Sequence, residues 1–232
     1  MRKHFAALAA LSALALPASA QASVTITAPG TDPIPAGPVA AGNWNALSTY
    51  LSGQGLTLFA SSGANIVLDA SHVLTFEFLG AESDFQDTFS VAGVPGLSYT
   101  ETSTHSNAGI VDLFNSPLLL GAAEFGPGSL TGLLNFTSIG GEDATVGQAG
   151  FGIFLPANFN GTSTLGIGDS FYIGFDDHDD VDDNHDDWIG RVTIGGAVPE
   201  PSTWLLMILG FGAIGFSLRQ RNRTERIRFN FA

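Results

Sequence analysis

The chain has no cysteine, and between its two ends it has a single basic residue. The first absence excludes disulfides, thiol nucleophiles and thiolate metal sites, so stability has to come from core burial or from metal held by oxygen or nitrogen. The second absence says more. Of eight Lys and Arg, Arg2 and Lys3 stand at the start and Arg219, Arg221, Arg223, Arg226 and Arg228 at the end, which leaves Arg191 alone between Gln21 and Val198. Twenty Asp and Glu share that section, so its formal charge is −19. Nucleic acid and anionic lipid are poor partners for such a surface, and cations are good ones.

Catalytic motifs are missing too. No G-x-S-x-G, H-E-x-x-H or P-loop occurs, and His72 and His105 stand by themselves among Ser, Thr and apolar neighbours. A carboxylate pair for glycoside hydrolysis would meet only in the folded chain, and the pattern nominates no two of the twenty acids. Helical periodicity is scarce, with Asn43–Leu51 the best candidate and a short one. The expectation is a protein that is not an enzyme.

What is present reads as strand. The section is rich in Gly, Ser, Thr and Phe, with turn residues at the spacing of all-β folds, and it predicts an antiparallel β-sandwich of jelly-roll type. Strands are expected at Gly55–Ala60, Asn65–Leu68, His72–Leu79, Asp87–Ala92, Leu97–Thr102, Ser129–Thr137, Ala149–Leu155, Ser170–Phe175 and Trp188–Ile194. Leu74, Phe76 and Phe78 alternate with Thr75 and Glu77, which sends the aromatics to the core and Glu77 toward solvent. Phe171, Ile173 and Phe175 repeat the pattern. Trp44 and Tyr50, near the short helix, are candidates for a sugar-binding face, with edge-of-core packing as their plainer role. A secreted carbohydrate-binding module is therefore the alternative reading, and a secreted hydrolase the third.

The two ends stand apart from this body. Met1–Ala20 reads as a secretory signal: Arg2 and Lys3 form its charged start, Phe5–Leu16 a short apolar run, and Pro17-Ala18-Ser19-Ala20 a site for signal peptidase ending at Ala20. Residues 21–38, with three prolines between Thr31 and Pro38, predict an extended lead-in, followed by the acidic β domain over 39–196. At the far end Trp204–Leu218 is uncharged and apolar and is followed by the arginines, which the positive-inside rule holds in the cytoplasm. A transmembrane helix is expected over 202–218. Its apolar part reaches about 22 Å at ~1.5 Å per residue, against a hydrocarbon core of ~30 Å, as suits a transient stop.

Val198-Pro199-Glu200-Pro201-Ser202-Thr203-Trp204, then Leu205–Leu218 and Arg219-Gln220-Arg221-Asn222-Arg223, resembles the PEP-CTERM sorting signal in its PEP-x-x-W form. The resemblance covers 197–223, with Thr224–Ala232 as an extra tail. It implies export across the inner membrane, processing at Pro199, Glu200 and Pro201 by an exosortase, interfacial placement of Trp204, and a setting of exopolysaccharide and biofilm at the cell surface. Gly210-Phe211-Gly212-Ala213-Ile214-Gly215 matches G-x-G-x-x-G by letter only. It sits in the apolar run with no strand before it, which excludes a dinucleotide site.

Between two expected strands, residues 176–187 hold eight aspartates in twelve positions. Carboxylates so close repel, and a compact loop needs counter-charge. Calcium takes six to eight oxygen ligands with tolerant geometry, so Asp176, Asp177, Asp179, Asp180, Asp182, Asp183, Asn184, Asp186 and Asp187 are candidate ligands. The loop lacks the central Gly and closing Glu of an EF-hand. A solvated acidic loop and a transition-metal site through His178 and His185 are the alternatives. Asp182, Asn184, Asp186 and Asp187, followed by Trp188-Ile189-Gly190-Arg191-Val192, loosely resemble the closing hairpin of secreted β-rich domains of the DUF4114 type, and that resemblance also implies calcium. Arg191, the one base nearby, is expected to pair with a loop carboxylate.

Overall fold

The computed structural model describes residues 23–28, 46–59, 63–83, 85–101, 111–156, 161–177, 185–196 and 201–225. In order these form β1 (Ser23–Thr27), α1 (Ala46–Gly53), β2 (Leu56–Phe59), β3 (Asn65–Leu68), β4 (His72–Ala81), β5 (Gln86–Val91), β6 (Ser98–Thr100), β7 (Val111–Asp112), β8 (Leu118–Phe125), β9 (Gly128–Ser129), β10 (Leu134–Ile139), β11 (Ala144–Thr145), β12 (Phe151–Pro156), β13 (Thr162–Gly166), β14 (Ser170–Phe175), β15 (Trp188–Gly195) and α2 (Pro201–Glu225). The protein is mostly antiparallel β-sheet. One sheet runs β13-β1-β3-β9, a second β11-β10-β5-β6, and the largest β2-β12-β14-β15-β4-β7, with β8 also paired to β4.

Alternation along the strands builds the core. Leu74, Phe76 and Phe78 on β4 and Phe171, Ile173 and Phe175 on β14 are buried as the pattern predicts, with less buried residues between them except at Gly174, which is buried too. The inner faces of all three sheets contribute to one apolar cluster, from Val24 and Ile26 through Phe89 and Phe136 to Val192. Phe136 sits at its aromatic centre: its ring centroid lies 4.8 Å from that of Phe175, 5.2 Å from Trp188, 5.3 Å from Phe89 and 5.4 Å from Phe151. A smaller cluster joins Leu47 and Leu51 of α1 to Leu79, Phe154 and Ile189.

Several elements depart from the expected pattern. Ser23–Thr27, read as part of the lead-in, is a strand between β13 and β3 with Val24 and Ile26 fully buried. The single strand expected over Ser129–Thr137 is two: β9 pairs with β3 and β10 with β5, and between them Gly132 turns the chain at φ +75°. The left-handed backbone there suits glycine. β8 escaped notice because Leu-Leu-Leu-Gly-Ala-Ala does not alternate; it pairs with β4 through a bulge at Phe76/Glu77, where Gly121 takes φ +146°. The helix expected over Asn43–Leu51 is observed over Ala46–Gly53.

Among the described residues Arg191 pairs with Glu77 and not with an acid of the loop. It lies opposite Glu77 in the β15–β4 register, and its Nε donates to Glu77 Oε2 at 2.7 Å. Cross-strand register decides the partner, because directly opposed side chains are the nearest. In α2, Trp204 and the large apolar side chains up to Leu218 are exposed, and among the described residues no helix is long and apolar enough to cross a membrane.

Candidate metal centre

The acidic loop leaves the sheet at Phe175 and returns at Trp188, so its two ends start from adjacent strands of one ladder. Backbone pairing closes the neck. Phe175 bridges Asp186, the Asp187 N–H donates to the Phe175 carbonyl at 3.1 Å, and the Asp177 N–H donates to Asp187 Oδ2 at 2.9 Å. Other loops pin the same residues. The Asp176 N–H donates to the Gly150 carbonyl at 3.0 Å, Glu142 N–H to the Asp177 carbonyl at 2.8 Å, and Glu82 N–H to the Asp186 carbonyl at 3.1 Å.

His185 enters the neck with φ +57°, a conformation a side chain resists. Its Nε2 lies 2.8 Å from the Ala149 carbonyl, which makes Nε2–H the donor and holds the strained residue in place. A Cβ at Gly174 would collide with the His185 carbonyl and with the Phe154 ring, so the strand that feeds the loop requires glycine at that point.

The result is a cluster of acids. Asp176, Asp177 and Asp187 each offer an oxygen, and the three oxygens lie within 4.8 Å of one another. Asp176, Asp177 and Asp186 are buried. Burial, then the charge of Asp177, pushes the Asp187 carboxyl well above its ordinary range; the Asp177 N–H opposes the rise, and Asp176 and Asp186 add to it. Ser83 and Ser138 aim their hydroxyls at Asp177 Oδ2, at 3.0 and 3.5 Å.

This donor set fits calcium. Ca–O distances of about 2.3–2.6 Å place ligands on opposite sides of an ion up to about 5 Å apart, so three oxygens within 4.8 Å can share one ion. The clustered groups are all hard oxygen donors, while His185 is turned to Ala149 and is not among them. Of the candidate ligands read from the sequence, Asp176, Asp177 and Asp187 come together, and Asp186 is buried beside them. Asp179, Asp180, Asp182, Asp183 and Asn184 lie outside the described residues, as does His178.

Sequence reasoning missed the acids that other strands deliver to the same end. Asp87 on β5 is fully buried, as is Glu101 just after β6, and Glu82 lies buried at the end of β4. A signal existed for the first: Asp87, Phe89 and Val91 share one face of β5, so alternation alone puts a carboxylate on the apolar side. Of the processing residues, Ala20, Pro199 and Glu200 lie outside the described residues, Pro201 opens α2, and Trp204 is half exposed on it. The Tyr50 ring packs on Phe114 at a tilt of 31° with centroids 3.9 Å apart, and Trp44 lies outside the described residues.

Residues 197–222 match the PEP-CTERM protein-sorting motif. The chain therefore carries the sorting signal its Pro-Glu-Pro triplet, apolar run and arginines suggested, and that signal implies an exported protein sorted to the cell envelope and processed by an exosortase. No curated protein and no solved structure matches the chain.

Proposed function

We propose that this is a non-enzymatic component of the cell surface or extracellular matrix, of the kind associated with exopolysaccharide and biofilm, whose jelly-roll-like β-sandwich is stiffened by calcium. The observation that carries the reading is the convergence of Asp176, Asp177 and Asp187 oxygens within 4.8 Å, in a body whose one base is committed to Glu77. Ion binding at the neck would lock β14 to β15 and, through Ser83, Ser138 and Glu142, to two further loops.

Export begins at the N-terminal signal, with signal peptidase cutting after Ala20. The apolar part of α2 then serves as a transient inner-membrane stop with the arginines on the cytoplasmic side. Cleavage near Pro199–Pro201 frees the body for release or surface attachment. Because β15 ends at Gly195, only a few residues separate the last strand from that cleavage region.

Two measurements test this. Mass spectrometry of the protein recovered from its exporting host should show a C-terminus that lacks the arginines; an intact tail would refute processing. Millimolar calcium should raise the melting temperature, and an Asp182→Ala/Asp187→Ala variant should lose that response. No shift in the parent would remove calcium from the reading. The carbohydrate-binding alternative rests on the exposed Tyr50, whose ring packs on Phe114, and predicts saturable glycan binding that Tyr50→Ala abolishes.

A further inference from the structure

Asp69 grips the first residue of the first strand with both carboxylate oxygens. The Ser23 N–H donates to Asp69 Oδ1 at 2.7 Å, at the short end of N–H···O bonds, and the Ser23 hydroxyl donates to Oδ2 at 2.8 Å. The Asp69 N–H closes the ring by donating to the Ser23 carbonyl at 3.2 Å. Ser23 is where β1 opens between β13 and β3, and Val24 is fully buried one residue on. From the inner side, the fully buried His72 stands with Nε2 3.4 Å from Asp69 Oδ1 and Nδ1 3.3 Å from the Gly195 carbonyl. One small group of side chains thus joins the start of the first strand to the end of the last.

The Ser23 N–H, helped by the Ser23 hydroxyl and His72 and opposed by burial, holds the Asp69 carboxyl below its ordinary range, so it is ionised at neutral pH. Arg191 is held on Glu77, which leaves no Lys or Arg of the body to balance it. The sequence ahead of the strand offers another source of positive charge. It reads Ala18-Ser19-Ala20-Gln21-Ala22, which contains two overlapping A-x-A sites, one ending at Ala20 and one at Ala22. A cut after Ala20 leaves the Ser23 nitrogen a neutral amide with one proton to donate. A cut after Ala22 makes it an α-amine, which is largely ammonium at neutral pH and carries three donors. That charge would arise at the nitrogen already in contact with Asp69 Oδ1.

We propose that signal peptidase cuts after Ala22 and that the Ser23 α-ammonium formed there pairs with Asp69, locking the first strand of the mature protein. The inference rests on the secretory-signal reading and moves the cut two residues past Ala20. Water hydrolyses the Ala22–Ser23 bond, its oxygen going to the Ala22 carboxylate and its two protons to the Ser23 nitrogen. The pair can form only after that cut, so β1 is pinned in the exported form and not in the precursor.

The test begins with N-terminal sequencing of the full chain recovered from its exporting host. Ser23 as first residue is the expected result. Gln21 overturns the proposal and leaves the secretory signal standing, and Met1 removes both. Ala22→Leu abolishes the second site and keeps the first, so that variant should begin at Gln21 and melt lower than the parent by roughly 2 °C. The difference should shrink at high salt and vanish when both chains carry Asp69→Asn. Acetylation replaces that comparison if Asp69→Asn folds poorly: Lys3 is the only lysine and leaves with the signal, so the Ser23 amine is the one amine to react. The acetylated parent should melt as low as Ala22→Leu. A parent that begins at Ser23 but melts no higher than Ala22→Leu or its own acetylated form overturns the pairing with Asp69.

Discussion

Asp177 and Asp187 are held together across the neck of the acidic loop, the N–H of Asp177 donating to Asp187 Oδ2 at 2.9 Å while the charge of Asp177 raises the pKa of the same carboxyl. Backbone geometry brings together two groups whose charges oppose the approach. The fold thus carries an electrostatic cost at one end of the sheets that a cation would remove, and the predictions follow from that opposition.

Stability of the calcium-free protein should fall as pH rises from about 4 to about 7, the window in which Asp87 loses its proton. Burial raises Asp87 from 3.8 to about 7, against the opposing serine hydroxyls and with help from Asp177 and Glu101, and Asp187 is raised as well. A carboxyl whose folded pKa exceeds its unfolded one favours folding only while protonated, so its contribution is complete below the unfolded value and lost as pH climbs through the folded one. For Asp87 the loss is on the order of a few kcal/mol. Urea denaturation in chelator at pH 5 and pH 8 reads it; equal stabilities would contradict the shift. Calcium should flatten the dependence.

Asp187→Asn should separate the two signs of the cluster. Asparagine keeps an oxygen to accept the Asp177 N–H but removes a charge, so the variant in chelator should melt at or above the parent. Added calcium should then raise the parent more than the variant, reversing their order. Differential scanning fluorimetry with and without calcium checks both halves.

Gly141 reports on the site without supplying a ligand. A Cβ there would lie 2.7 Å from both the Cβ and the carbonyl oxygen of Asp177 and 2.8 Å from Ser138 Oγ. Gly141→Ala should therefore displace Asp177 and weaken calcium binding by about tenfold or more, the equivalent of ~1.4 kcal/mol. Calorimetry measures it, and an unaltered affinity would mean that Asp177 contributes little.

Glu77 and Arg191 should couple weakly. Their side chains are 20 % and 33 % exposed, which places the pair in the range of about 0.2–1 kcal/mol expected of solvated ion pairs. A double-mutant cycle with Glu77→Gln and Arg191→Gln should give that value, shrinking at high salt. Calcium-induced stabilisation should survive in both variants, since neither residue touches the neck.

Phe136→Ala should be the most damaging of these changes. Its ring meets Phe89, Phe151, Phe175 and Trp188, and emptying such a position costs about 3–5 kcal/mol. Chemical denaturation followed by tryptophan fluorescence would show the loss.

Much of the fold was legible wherever one strand carried its own alternation. β3 and β14 fall where the pattern put them, and β4 and β15 differ only at their ends. β8 and β13 were not legible, because short polar or Gly-Ala segments become strands only when a neighbour supplies the pairing, whereas Val24 and Ile26 of β1 alternate with polar residues and were passed over as lead-in despite that signal. Arg191 makes the same point: its proximity in sequence suggested the loop, and register gave it Glu77.

The sequence by itself determined the sorting signal and the charge of the body, since both are properties of local order and composition. It also marked the acidic loop as a place that needs counter-charge. Only the tertiary structure decided which acids share a site. Hydrogen bonds from Ser83, Glu142 and Gly150, on segments far from the loop in the chain, hold the neck where Asp176, Asp177 and Asp187 converge, and no spacing rule within one segment encodes that meeting.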